Sequence, residues 1–244
     1  MTERDGLCFR DLIATAAGQL GIEVTQEALD MFEEYRRLLL AANEVMNLTS
    51  ITDDEGIALR HFVDSLTCIL SPAAADYSSL VDVGTGAGFP GLVLHIVRPS
   101  RHTLLIDSVG KKVSFVQHVC RELGLENVEA VHGRAEDLAK KVEYRESFDL
   151  AVARGVSKLS PLAEYCLPFV RIGGWFLAMK GPRADEELEQ GVRAAQQLGG
   201  AMPEVLEVVL PYGHGERKLI SIRKEKRTAS RFPRRHAVIA KNPL

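Results

Sequence analysis

Residues 80–91 carry the densest chemistry in the chain: Leu-Val-Asp-Val-Gly-Thr-Gly-Ala-Gly-Phe-Pro-Gly. An apolar run that reads as a buried strand enters Gly84, Gly86 and Gly88, and a helix is expected to start near Pro90. Glycines stand where a backbone must turn tightly and where a ligand approaches main-chain atoms. A helix start adds N–H groups that have no intrahelical partner. Two kinds of ligand suit such a turn. Gly86, Gly88 and Gly91 have the spacing that receives a dinucleotide pyrophosphate. Asp82, two residues before the first glycine, suits a ligand with an ammonium or sulfonium end instead. The plainer alternative for Asp82 is a strand-end carboxylate satisfied by amides of the turn.

Five further residues follow from the places that strand ends occupy in such sheets. Asp107 ends the next strand-like run, where a carboxylate can accept both hydrogens of a ribose diol, although Asp also caps helices. After the third run, Ala135 and Glu136 lie where a loop would meet an adenine edge, or where a Glu would simply favour a helix N-terminus. Arg154 follows the fourth run, and strand C-termini face the ligand crevice, so it is expected to hold a cofactor carboxylate or a guanine O6 edge. Lys180 holds the equivalent place after the fifth run, where it can reach a phosphate or stand simply as a surface cation.

The apolar-Asp-apolar-Gly-x-Gly-x-Gly run resembles the first motif of class I S-adenosylmethionine-dependent methyltransferases more than a dinucleotide fingerprint. What is absent then bears on the acceptor. There is no Asn/Asp-Pro-Pro-aromatic motif of the kind used on exocyclic base amines. There is no Pro-Cys nucleophile for pyrimidine carbon-5, and Cys166, in a helix-like Glu-Tyr-Cys-Leu-Pro, reads as core. Guanine N7 carries an in-plane lone pair and no proton at neutral pH, so it asks only for alignment and exclusion of water.

Positioning these residues requires a regular scaffold. Apolar spacing predicts helices within 8–43, with Gly21 as a break and Thr25 as an N-cap. Thr52 and Glu55 have capping-box spacing for a third helix through His61 to Ile69. From Tyr77 onward strand-like runs (80–83, 103–106, 128–131, 148–153, 175–179) alternate with helical stretches, and two runs (205–210, 218–222) close the series with no helix between them. This predicts an α/β fold with a mostly parallel, Rossmann-like sheet, helices on both faces and an antiparallel edge hairpin. The expected divisions are a helical N-terminal cap (1–76), the cofactor-binding domain (77–223) and a basic, mobile C-terminal tail (224–244).

The chain has 244 residues, 46% of them hydrophobic and 26% charged, enough for a sizeable core without staples. Its four scattered cysteines exclude a disulfide scaffold or zinc ribbon and fit a reducing cytoplasm. No metal site, signal peptide or bilayer-spanning run is expected. The net charge of −3 conceals a division: from Glu216 onward ten Lys/Arg stand against two Asp/Glu, a surplus of +8, leaving −11 on the rest. A basic tail on an acidic body suggests a polyanionic partner.

Taken together the strings resemble the RsmG family, also called glucose-inhibited division protein B, methyltransferases of 16S ribosomal RNA. They are Asn43-Glu-Val-Met-Asn-Leu-Thr49 with Arg60-His-Phe-Val-Asp-Ser65; Asp82 to Gly91 with Leu-Ile-Asp-Ser108 and Lys111-Lys112; Val152-Ala-Arg154-Gly with Met179-Lys-Gly181; and Arg231-Phe-Pro-Arg-Arg235. The resemblance implies methylation of guanine N7 in a decoding-region loop, with S-adenosyl-L-methionine as methyl donor. It implies donor contacts at Gly84, Phe89, Ala135, Glu136 and Arg154. Its partner is 16S ribosomal RNA or the small ribosomal subunit, with the protein a cytoplasmic monomer. Arg60, His61, Lys180, Arg234 and Arg235 are the expected RNA contacts, although Arg60 and Asp64 at i, i+4 are also placed to pair with each other. Deleting 226–244 is expected to weaken RNA binding and leave donor affinity unchanged. The rivals are an NAD-dependent oxidoreductase, a methyltransferase of small molecules or proteins, and a non-catalytic RNA-binding regulator.

Overall fold

In the computed structural model, which describes residues 6–98 and 102–244, the apolar runs of the chain's middle assemble into one seven-stranded sheet. The strands are β1 (Ser79–Val83), β2 (His102–Asp107), β3 (Val128–His132), β4 (Phe148–Arg154), β5 (Val170–Lys180), β6 (Glu204–Val209) and β7 (Glu216–Arg223). Their spatial order is β3-β2-β1-β4-β5-β7-β6. The first five pair in parallel, and β7 runs antiparallel to both β5 and β6. The terminal hairpin is therefore present, but its second strand inserts inside its first. β1 lies between β2 and β4, where the direction of strand succession reverses, and the crevice beyond its carboxyl end is where open α/β sheets bind ligands.

Alternation along the strands feeds two large cores and a smaller one, in which Leu80, Leu150, Val152 and Leu177 meet Tyr77 and Leu94. Val81, Val83, Leu104 and Ile106 pack with Leu159, Leu162 and Ala163 of α8 (Leu159–Cys166) and Ala194 of α9 (Asp185–Gln197), and Cys166 is buried there too. On the other side Leu105 packs with α5 (Gly91–Val97) and α6 (Gly110–Glu122). The N-terminal helices share that second core: Ile13 of α1 (Phe9–Gln19) and Phe32, Tyr35 and Leu39 of α2 (Gln26–Met46) are buried in it. Thr25 caps α2 by accepting the Ala28 N–H. α3 (Asp54–Ile57) is capped by Asp53, whose Oδ1 accepts the Gly56 N–H at 2.7 Å, and not by Thr52. It continues through a π-helical turn (Ala58–Val63) into α4 (Asp64–Leu66), and π-turns recur at functional sites. α7 (Ala135–Leu138) is a single turn after β3.

Residues 224–244 are not a free tail. Lys224 is buried, with its Nζ on the Leu167 carbonyl and Thr228 hydroxyl at 2.7 Å each. Phe232 and Ile239 of α10 (His236–Lys241) enter the α8–α9 core. The expectation of mobility fails because Pro and charge punctuate this segment without removing the apolar residues that anchor it. Among the described residues no helix is long and apolar enough to cross a membrane.

Candidate active site

The glycine turn is set by its hydrogen bonds and by collisions it avoids. Gly84 and Thr85 both donate N–H groups to the Ile106 carbonyl, at 2.8 and 2.9 Å, so the turn begins tied to β2. Gly84, Gly86 and Gly88 all have positive φ, a conformation that L side chains rarely adopt. A Cβ on Gly88 would strike the Tyr35 hydroxyl, which itself donates to the Ala87 carbonyl. A Cβ on Gly84 would lie 2.6 Å from Val156 Cγ2, whereas Gly86 has open space before it. The turn is thus packed tightly on both sides and left bare at its centre, which is the shape a ligand passing over main-chain atoms requires.

Asp82 does not reach that space. It is fully buried beneath the turn, and its Oδ2 accepts from Thr85 Oγ1 and from the Gly91 N–H, each at 2.8 Å. Its Oδ1 is buried without a partner, and burial raises its pKa to about 6 against those hydrogen bonds. The expectation that Asp82 faces a cationic ligand end is corrected: it braces the turn and the start of α5. The signal was ambiguous because a strand-end Asp serves either purpose.

Asp107 does face the crevice. Its Oδ2 accepts the Gly86 N–H at 3.0 Å and its Oδ1 accepts the Val109 N–H at 2.8 Å, which fixes the carboxylate beside the bare glycine. The crevice has two lobes that share Gly84, Asp107, Ser108 and Val156. One, of about 450 Å³, is walled by Ile106, Ala135, Glu136, Tyr165 and His236. The other, of about 940 Å³, is lined by Gly86, Phe89, Lys112, Arg154, His61 and Thr49. The structure therefore brings Gly84, Gly86, Phe89, Asp107, Ala135, Glu136, Arg154 and His61 together around one crevice. Gly88 is buried in the turn behind it.

In the larger lobe Phe89 is the centre of a stack. Tyr35 lies parallel to it at 5.1 Å between centroids, the His61 ring at 4.8 Å, and the Arg154 guanidinium carbon 5.3 Å from its centroid. Arg154 is held by Asp64, nearly buried at the end of the π-turn, through a 2.8 Å ion pair, and it also donates to the Arg60 carbonyl at 3.2 Å. The other Asp64 oxygen takes Arg217 Nε from β7 at 2.7 Å. One carboxylate thus ties the helical segment to two strands. His61 Nε2 lies 2.8 Å from Thr49 Oγ1, and its Nδ1 is buried without a hydrogen-bond partner. Burial, and then the Arg154 charge, lower the His61 pKa to about 4, so the imidazole is neutral at pH 7.

Other expected contacts lie elsewhere. The Arg60 side chain is exposed, and Asp64 pairs with Arg154 and Arg217 in place of the i, i+4 pairing with Arg60. Lys180 pairs with Glu187 at 2.7 Å and donates to the Ser157 carbonyl at 2.8 Å, so its charge is already engaged within the fold. Arg234 grips the buried Glu164 at 2.6 Å as a structural anchor, while Arg235 is exposed just before α10. Sequence reasoning missed Tyr35, Asp64, Tyr165, Arg217 and His236. Asp64 stood inside a motif already singled out, but Arg217 and His236 come from distant chain with no local pattern.

A model of the GidB family, described as rRNA small subunit methyltransferase G, matches residues 28–220. The chain is 44% identical to the ribosomal RNA small subunit methyltransferase G of Pelotomaculum thermopropionicum, over 96% of this chain and 98% of that one. It is 43% identical to the protein of the same name from Exiguobacterium sibiricum, over 94% and 97%. Among solved structures it is similar to a SAM-dependent methyltransferase from Aquifex aeolicus, with a TM-score of 0.52 and 18% identity, over 72% of this chain and 96% of that one. A cofactor-bound protein from MTB gives 0.59 and 16%, over 90% and 99%. These two likenesses concern the fold, while the near-complete matches to the methyltransferase G proteins settle descent: the chain belongs to the GidB family of rRNA small subunit methyltransferases.

Proposed function

We propose that this protein transfers a methyl group from S-adenosylmethionine to N7 of a guanine in small-subunit ribosomal RNA. The observation that carries the reading is the bare Gly86 backbone beside the fixed Asp107 carboxylate, at the junction of one apolar and one polar lobe. An adenosyl group joined to an amino acid has that same division. In this reading Asp107 accepts from the ribose hydroxyls, Ala135 and Glu136 meet the adenine edge, and Arg154 receives the amino-acid carboxylate.

Bound there, the donor would supply a methyl group on positively charged sulfur, with the N–C bond formed by the purine nitrogen lone pair as the C–S bond breaks and a neutral thioether leaves. No residue is then needed to remove a proton. The work left to the chain is alignment and exclusion of water. The Phe89 ring, stacked with Tyr35 and His61 and 5.3 Å from the Arg154 guanidinium carbon, forms a rigid wall of the polar lobe. His61, kept neutral, adds no opposing charge to that wall. The second cation on Asp64, Arg217, leaves the Arg154 cluster with a net positive charge, suited to a carboxylate.

RNA prepared from cells lacking the enzyme, incubated with purified protein and methyl-labelled donor, should yield label in 7-methylguanosine after digestion. Label in any other nucleoside, or none with fully folded protein, refutes the proposal.

A further inference from the structure

We propose that the C-terminal segment completes the donor site, with His236 forming the outer wall of the apolar lobe as a binding residue for the purine. This rests on the orientation given above, with adenine in the lobe of Ala135 and Glu136. His236 comes from the last helix of the chain, yet it lines this lobe together with Tyr165, Ile106 and Gly133.

Its placement is not incidental, because the segment is anchored on both sides of it. Before it, Glu164, fully buried on α8, accepts from Arg234 through the backbone N–H at 2.8 Å and through the guanidinium at 2.6 and 2.9 Å. Arg145 clamps the carbonyls of Thr228 at 2.8 Å and Phe232 at 3.0 Å. After it, Ile239 is fully buried and the Leu244 carbonyl accepts from Ser160 Oγ at 2.8 Å. Between these anchors His236 Nδ1 lies 2.8 Å from the Tyr165 hydroxyl, and the two rings are stacked at 6.1 Å with 22° between planes. Burial, helped by Glu136 and Glu164, raises the Tyr165 pKa to about 12, so its hydroxyl keeps its proton. The pair is thus a fixed aromatic edge of the lobe that Ile106 also lines. With Nδ1 engaged, Nε2 is the ring's second polar atom. A flat heteroaromatic ring with a polar rim fits between such walls.

The test uses the full chain and two probes, S-adenosylhomocysteine and 5′-methylthioadenosine, which share the adenosine but not the amino-acid end. His236→Ala should weaken both by about 5- to 10-fold, the loss of one ring contact and one hydrogen bond, while the apo melting temperature is unchanged. Arg154→Met should weaken only the first, and this arm reports on the orientation separately. No RNA enters the assay, so the result does not depend on the acceptor. If His236→Ala binds 5′-methylthioadenosine within twofold of the parent, the proposal is overturned. It is equally overturned if the variant merely melts earlier with both affinities intact, the result for a residue that serves only to pin the chain end.

Discussion

A half-buried histidine and a buried carboxyl beside the glycine turn should titrate against each other, and removing either one should expose the other. His61 has its pKa lowered from 6.5 to about 4, chiefly by burial. Between those values the unfolded chain binds a proton that the native protein refuses, so His61 costs stability as pH falls. Asp82 has its pKa raised from 3.8 to about 6, again chiefly by burial. Between those values the native protein holds a proton that the unfolded chain has released. Its contribution is fully present below 3.8 and is lost as pH rises through 6. Taking the pH from 7.5 to 4, the linkage relation gives a loss of about 3 kcal/mol from His61 and a gain of about 2 kcal/mol from Asp82. In the parent the two nearly cancel. Urea unfolding at both pH values should therefore show His61→Gln gaining about 3 kcal/mol on the parent at the acid end, and Asp82→Asn losing about 2 kcal/mol. Any constant cost of a substitution, such as lost stacking on Phe89, drops out of the comparison. Parallel stability–pH curves for all three proteins would refute the reasoning, and with it the neutrality of His61 in the lobe that faces Arg154.

Gly88→Ala places a Cβ at φ +102 against the Tyr35 hydroxyl and 3.2 Å from Leu92, and should cost about 1–3 kcal/mol in a thermal melt without touching the crevice directly. Asp64→Asn leaves two guanidiniums facing a neutral amide in a nearly buried place. It should cost about 3 kcal/mol of stability and weaken S-adenosylhomocysteine measured by calorimetry, because Arg154 loses its anchor. Replacing the exposed Arg227, Arg231 and Arg235 together by Ser should leave donor affinity unchanged. The slope of log affinity for RNA against log salt should become shallower by about 2, at roughly 0.7 per phosphate released.

What could be read from the sequence is what local chemistry dictates. The strand runs sat where period and β-branched content placed them, and β1 with its glycine turn could be assigned to a ligand site because positive φ and side-chain absence are written in residue type. β5 begins five residues before its apolar run because Val170 pairs with Phe148, and the register then shifts between Phe148 and Leu150, opposite residues 171–174, which no apolar periodicity marks. The Thr52–Glu55 spacing was misleading, since Asp53 next to it makes the capping bond. Asp82 was read toward the ligand because a carboxylate beside a turn looks the same whether it faces outward or under the loop. Arg217 lies 153 residues from Asp64, and His236 lies 71 from Tyr165. Such pairs exist only after the sheet and the returning chain have formed.

The basic C-terminal region shows how folding changes the meaning of a charge count. Ten Lys/Arg from position 216 onward suggested a free cationic arm for a polyanion. In the structure Arg217 is on Asp64, Lys218 on Asp185 and Glu207, Lys224 on Glu146, and Arg234 on Glu164. Four of the ten thus hold the protein together, and Lys224 is buried so fully that its pKa falls to about 8. Arg227, Arg231 and Arg235 remain exposed, on a segment pinned to α8. A pinned segment loses less conformational freedom on binding than a free arm would. It also places any contact with RNA a few residues from His236 and the apolar lobe of the crevice. Deleting the segment would therefore not separate RNA binding from donor binding, as a detachable tail would allow. It would remove Phe232 and Ile239 from a core and one wall from the site together.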